Sequence, residues 1–159
     1  MQSVILRNMR EDEFAAFRER SIADYAQSLI DAGKCSKRKA KAQAQKEFSQ
    51  VLSGLSPENN HLLIAENKDG IPVGMLWYET KKPEQAFILD FLVYDAHRRM
   101  GYGSAILAEL ERTLRAAETP SVLLHVFAHN VPAIKLYEKC GFTVAKSDNG
   151  NIYMQKALI

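Results

Sequence analysis

Apolar positions along the chain change their period repeatedly, and each change marks the border of an element. Residues 3–7 (SVILR) form a short apolar, β-branched run that predicts a strand. Phe14, Phe17, Tyr25 and Leu29 then recur at helical spacing and predict a helix over about 11–31, closed by Gly33. Ala40, Ala44, Phe48, Val51 and Leu52 make a second stripe, so another helix is expected from Ser36. Its first turns carry Lys37, Arg38, Lys39 and Lys41, which oppose the macrodipole at that end and read as a solvated face.

From residue 61 the period falls to that of strands. HLLIAE (61–66) and PVGMLWYET (72–80) flank Lys68-Asp69-Gly70, a hairpin turn. After Lys81-Lys82-Pro83 comes AFILDFLV (86–93), apolar almost throughout, as in a strand covered on both faces. Helical spacing returns in SAILAELERTLRAA, where Ile106, Leu107, Leu110 and Leu114 form one stripe and Pro120 lies beyond the end. SVLLHVF (121–127) is the next strand, and the tail pairs FTVAKS with NIYMQKAL through Asp148-Asn149-Gly150, a strong hairpin signal. The crossover from 86–93 to 121–127 requires a parallel, right-handed strand–helix–strand unit. The expected class is α/β (or α+β): a mixed, mostly antiparallel twisted sheet, a central parallel βαβ unit, and helices on both faces.

Composition narrows the class without naming a chemistry. At 159 residues and 47% hydrophobic, the chain can bury one core, so a single domain over 1–159 is expected. A formal charge of +2 lacks the basic excess of a nucleic-acid binder, so no nucleic-acid partner is expected. Cys35 and Cys140 show neither CxxC nor a Cys/His ligand spacing, which predicts no metal and a reduced, cytoplasmic setting. MQSVILRNMREDEF turns charged before a signal core can form, and no apolar run approaches the roughly 18 residues of a membrane helix. No membrane partner is expected.

The candidate chemistry begins at HRRMGYGSAIL (97–107). Gly101 and Gly103 can take positive φ and admit a ligand to the backbone, and a helix opens at once behind them. Helix-start N–H groups, the dipole, and Arg98 and Arg99 together suit an anion. GxG alone also fits a tight strand-to-helix turn with surface arginines. A Walker loop would need GxxxxGK[ST], and a dinucleotide fingerprint a third glycine where Ile106 stands. The pattern that fits is R/Q-x-x-G-x-G/A after a strand ending Phe91-Leu92-Val93, here Arg98-Arg99-Met100-Gly101-Tyr102-Gly103. HNVPAIKLYEKCGF (129–142) follows, of the form N-x-x-A-x-x-x-Y-x-x-x-GF. In this order, bracketing one βαβ unit, the two motifs resemble the Gcn5-related N-acetyltransferases, the GNAT family. The resemblance spans most of the chain and is strongest from 74 to 142; region 10–55 fits as a layout only.

That resemblance implies acetyl-CoA as co-substrate, no metal, and acetyl transfer to the primary amine of a small molecule, peptide or protein. The loop from Arg98 through Arg99, Met100, Gly101, Tyr102 and Gly103 to Ser104 would cradle the coenzyme diphosphate. Leu92 and Val93 lie where the strands would splay around the pantetheine arm, with the backbone around Val93 supplying the N–H that meets the acetyl carbonyl. Asn130 and Ala133 occupy the positions beside that arm, and Tyr137 the position of a general acid on the sulfur. For the base, His125 ranks before Asp90 and Glu79, with a water relay as the alternative. Judged as residue types alone, Tyr137 is a half-buried core tyrosine, Asn130 a helix cap, Cys140 packing, and His125 and Asp90 structural strand residues. Tyr25, Trp77 and Tyr78 are candidates for an acceptor pocket, whose ligand no motif specifies. A homodimer is compatible with the resemblance. The rival reading is a non-catalytic acyl-CoA-binding or sensor module of the same fold.

Overall fold

The computed structural model describes residues 2–53, 58–82 and 85–159; the Val51 and Leu52 side chains and Pro83, between two expected strands, lie outside the described residues. In chain order the elements are β1 (Ile5–Asn8), α1 (Glu11–Asp31), α2 (Lys37–Ser53), β2 (Asn60–Glu66), β3 (Pro72–Lys82) and β4 (Gln85–Val93). After a 3-10 turn at Asp95–His97 come α3 (Tyr102–Ala116), β5 (Ser121–Phe127), α4 (Val131–Lys139), β6 (Thr143–Asp148) and β7 (Asn151–Ala157). The strands pair in the order β1-β2-β3-β4-β5-β7-β6, with β4 and β5 parallel and the other neighbours antiparallel. The expected class is the observed one. Two borders move: β3 runs through Lys81 and Lys82, past the expected end at residue 80, and α3 opens at Tyr102, ahead of its apolar stripe.

Local chemistry explains the turns. Asn149 and Gly150 hold φ of 50° and 82°, the pair of positive values that a two-residue hairpin turn between right-twisted strands requires. The Asn67 side-chain oxygen accepts from the N–H of Asp69 and of Ile71, fixing the β2–β3 turn.

Packing sets the layers. Ile106, Leu107, Leu110 and Leu114 bury the α3 stripe against Leu76, Ile88, Val122, Leu124 and Met154 on one face of the sheet, where α4 also packs. Each such side chain contributes roughly 1.5–3 kcal/mol. On the opposite face, Ala40 and Ala44 let α2 close on Ile22, Ala26 and Leu29 of α1. Phe17, Phe48 and Trp77 tilt edge-on around each other, with centroids 5.8–5.9 Å apart, and tie both helices to β3. This burial holds α2 despite its exposed basic first turn, which contains no acidic residue.

The feature that shapes the site is a bulge. Trp77 faces Asp90 but Tyr78 faces Ile88, so Leu89 is an extra residue in β4. The pleat changes phase there. Ala86 and Ile88 face the α3 layer before the bulge and Phe91 and Val93 after it, while Leu89 and Leu92 pack toward α1. Among the described residues β4 and β5 pair only at Ala86↔Val122, Phe87↔Leu123 and Ile88↔Leu124. Past the bulge, the two strands part.

Candidate active site

The parting of β4 from β5 opens a cleft of about 880 Å³ that reaches both helical layers. Asp90, Phe91 and Leu92 line it from β4, and Leu124 to Phe127 from β5. The ladder fixes the polarity of its wall. Tyr94 N–H donates to Val73 O at 2.9 Å, so the alternation of an antiparallel pair turns the N–H and C=O of Val93 away from β3, into the opening. The Val93 carbonyl there accepts from Arg98 Nε at 2.9 Å, and its N–H points the same way.

The glycine loop ends at this opening. Gly101 is the N-cap of α3 with φ 89°, and Ala105 N–H makes the first helical bond to its carbonyl at 3.1 Å. Helix geometry leaves the amides of Tyr102, Gly103 and Ser104 without a helical acceptor, at the positive end of the dipole. Arg99 also holds positive φ, 61°, and Arg99 and Met100 are exposed beside these amides. Two expectations change. Gly103 does not use positive φ; it is small because a Cβ there would lie 3.0 Å from Leu136 Cδ2 of α4. Arg98 turns its guanidinium back to Val93 O and to Asp95, 3.1 Å away, at the cleft wall. Tyr102 is buried beside His97 and presents only backbone to the loop.

The second motif has a mechanical explanation. Asn130 caps α4, its side-chain oxygen accepting from Ala133 N–H at 3.4 Å, and it also lines the cleft. At the other end Gly141 holds φ 94° and Phe142 N–H returns to Tyr137 O at 2.9 Å, a Schellman-type closure. Lys156 Nζ donates to Cys140 O at 2.8 Å and pairs with Glu111 of α3 at 2.7 Å, anchoring the closed end. The Tyr137 ring is thereby wedged between Phe142 and Phe91, with centroids 5.8 and 6.3 Å away, and borders the cleft. Burial, then the nearby Asp90 charge, pushes its phenol pKa up, so the hydroxyl keeps its proton.

Of the candidate bases, His125 and Asp90 line the cleft and Glu79 does not. Glu79 pairs with Asn60 and Phe87 along the sheet, before the bulge. His125 Nε2 lies 2.9 Å from Asn151 Oδ1 and donates to it, leaving Nδ1 as the acceptor. Ser21 Oγ donates to Asp90 Oδ2 at 2.6 Å, and Phe91 N–H to Oδ1 at 2.9 Å. Burial nevertheless pushes the Asp90 carboxyl above the usual aspartate range, against both hydrogen bonds. Folding therefore tightens the Asp90 proton, and stability falls as pH rises from the unfolded value through the folded one. Asp90→Asn is expected to melt above wild type at neutral pH, with the difference vanishing in acid, where the wild-type carboxyl is protonated. Melting curves against pH check this; a variant less stable at every pH would mean the two hydrogen bonds outweigh burial.

Tyr25 and Trp77 reach the cleft, but Tyr78 is buried on the α3 side, stacked 4.5 Å from His61. Sequence periodicity overlooks Ser21, Asp24 and Glu47, which line the cleft from α1 and α2. No spacing rule marks them, because only the packing of α1 on α2 brings them together. Among the described residues no His, Cys, Asp or Glu group is arranged to hold a metal, and no helix is long and apolar enough to cross a membrane.

A strand pair opened at a bulge, a helix start with free amides beside Val93 and a buried tyrosine that borders the cleft make up the site. Residues 13–142 match the family model of the Acetyltransferase (GNAT) family. The chain belongs to that family of acetyltransferases. It is similar to the "Uncharacterized N-acetyltransferase YycN" of Bacillus subtilis, 34% identical over 144 residues, which cover 88% of this chain and 92% of YycN. The crystal structure of YycN superposes with a TM-score of 0.86 over 92% of this chain and 96% of YycN. It is also similar to the "Uncharacterized N-acetyltransferase YdgE" of the same organism, 31% identical over 96% of this chain and 97% of YdgE. A Bacillus anthracis structure described as a streptothricin acetyltransferase in complex with acetyl coenzyme A is 25% identical over 62% of each chain, with a TM-score of 0.56.

Proposed function

We propose that the whole chain acts as one N-acetyltransferase domain that moves the acetyl group of acetyl-CoA directly to a primary amine in a ternary complex. The observation that carries this is the parting of β4 from β5 past the bulge, where the Val93 N–H turns away from β3 and Tyr137, His125 and Asp90 border the cleft. The amides of Tyr102 to Ser104 and the helix dipole hold the diphosphate, with Arg99 and Met100 at the rim. Leu92, Val93, Asn130 and Ala133 flank the arm. The amine nitrogen attacks the thioester carbonyl carbon, the C–N bond forms and the C–S bond breaks. Val93 N–H receives the charge that develops on the carbonyl oxygen. The proton lost by the amine goes to His125 Nδ1, to Asp90 or to water, and the leaving sulfur accepts a hydrogen bond from the Tyr137 hydroxyl.

The test is transfer from acetyl-CoA across a panel of small amines, aminoglycosides and peptide N-termini, read as thiol release and product mass. Acetyl-CoA that stabilises the protein without any transfer would support the sensor reading instead. Gly103→Asp is a poor probe of the loop because its side chain would strike Leu136. Met100→Glu places the charge on a side chain already exposed. It is expected to weaken coenzyme A binding about tenfold, with melting temperature unchanged in the free protein. Unaltered affinity would move the diphosphate away from this loop.

A further inference from the structure

His125 is held from the neighbouring strand. Along β5, Leu124 and Val126 pack into the α3 layer, so His125 and Phe127 face α1 and α2. β7 alternates in step, with Ile152 and Met154 toward α3 and Asn151 and Tyr153 toward α1 and α2. His125 pairs directly with Tyr153, and Asn151, opposite Phe127, is its diagonal neighbour on the same face. The diagonal brings Asn151 Oδ1 to 2.9 Å from His125 Nε2. Asn151 borders a chamber of about 480 Å³ that adjoins the cleft, and His125 borders both spaces.

Two kinds of contact fix the imidazole. Phe127 stands edge-on to it at 4.9 Å and Tyr153 tilts against it at 5.1 Å, and these rings set its plane. They do not tell one nitrogen from the other. A half-turn of the imidazole would keep both ring contacts and lose the bond to Asn151. Because an amide oxygen accepts and does not donate, it selects the tautomer protonated at Nε2 and leaves Nδ1 as acceptor. Asn151 is itself held in place. The turn at Asn149 and Gly150 sets it at the start of β7, and Lys34 Nζ, 3.3 Å from Asn149 O, ties that turn to the connection between α1 and α2.

The neutrality of the amide matters as much as its direction. A carboxylate at this place would favour the imidazolium before any substrate arrived, whereas an amide orients the ring without drawing a proton onto it. We propose that Asn151 is a positioning residue for acetyl transfer, presenting His125 to the incoming amine as a neutral base with Nδ1 as the accepting atom. The amine's proton goes to the Nδ1 lone pair, the Nε2 proton stays on its bond to Asn151, and solvent takes the added proton between turnovers. This rests on the reading of His125 as the base and adds the group that orients it.

The test is the pH profile of kcat/KM with the best acceptor of the panel above, for wild type, His125→Ala, Asn151→Asp and Asn151→Ala, with nitrogen NMR of the imidazole. His125→Ala is expected to remove the acidic limb. Asn151→Asp keeps the shape and adds a charge, and is expected to raise the midpoint of that limb by about one pH unit. Asn151→Ala is expected to lower kcat about tenfold with KM for acetyl-CoA unchanged, and to turn a ring protonated at Nε2 into a mixture of tautomers. The other charged and titratable groups stay the same in the Asn151 variants: Tyr25, Lys34, Cys35, Glu47 and Tyr153 around the ring, and Asp24, Asp90 and Arg98 along the cleft. A moved limb therefore reports Asn151. A limb that survives in His125→Ala assigns the base to Asp90 or water, and overturns the proposal while acetyl transfer stands. A limb lost in His125→Ala but unmoved in Asn151→Asp leaves His125 as the base and overturns the role of Asn151, as does a wild-type ring protonated at Nδ1. Lower melting temperatures in both Asn151 variants, with rates and profile unchanged, make Asn151 a residue of the fold and also overturn it. Absence of transfer to every acceptor, despite bound acetyl-CoA, overturns the transferase reading and this proposal together.

Discussion

Tyr137→Phe is expected to lower kcat about 100-fold while leaving acetyl-CoA affinity and melting temperature close to wild type. The ring stays wedged between Phe91 and Phe142, and the closure of α4 through Phe142, Gly141 and Lys156 uses backbone groups that the change leaves alone. Only the hydroxyl is lost. Burial and Asp90 hold that phenol above its ordinary pKa, well over the roughly 8.5 of a free thiol. Full proton transfer to a solvated thiolate would therefore run uphill. The contribution of Tyr137 is a hydrogen bond that strengthens as negative charge gathers on the sulfur, with the proton moving late. That limits the effect to the low end of general acid catalysis. The raised pKa also means that Tyr137 supplies no alkaline limb to the rate profile below about pH 10. Wild-type turnover in the variant would remove Tyr137 from the chemistry, and a lower melting temperature at unchanged rate would make it a core residue.

What the sequence could reveal here depends on how far apart the interacting residues are. Asn149-Gly150 announces its hairpin because the constraint is two adjacent φ angles. The stripe Ile106, Leu107, Leu110, Leu114 announces α3 because its partners need only be apolar. The loop and the Tyr137 segment are legible as motifs, since each is a continuous piece of chain with caps at its ends. The bulge at Leu89 is hidden, because AFILDFLV is apolar on both faces and has no alternation to break. With the bulge unseen, the residues of β4 on its two sides cannot be assigned to faces, which is why Asp90 cannot be placed at the cleft from the sequence. Gly103 looks like a turn glycine beside Gly101, yet it answers to Leu136, more than thirty residues away.

Gly74→Ala is expected to lower the melting temperature by about 10 °C and to cut kcat/KM about 100-fold. Gly74 faces Val93 across the β3–β4 ladder, and a Cβ built on it lies 2.4 Å from the Leu92 carbonyl oxygen and 3.0 Å from Ile106 Cδ1. Neither neighbour yields easily: one is backbone of β4, and Ile106 of α3 is fully buried against the sheet. Overpacking of this kind costs about 1–3 kcal/mol, and a backbone neighbour puts it at the upper end. The smaller unfolded-state entropy of alanine returns less than about 1 kcal/mol. The catalytic loss follows from direction. Relief of the contact pushes the end of β4 away from β3, toward the cleft, and carries the Val93 N–H off the position where carbonyl charge develops. Gly103→Ala is the control. Its Cβ meets only the flexible end of Leu136 at 3.0 Å, so a small shift accommodates it, and the family motif itself tolerates alanine at that place. If Gly74→Ala melts lower but turns over like wild type, the β4 terminus is not what polarises the thioester.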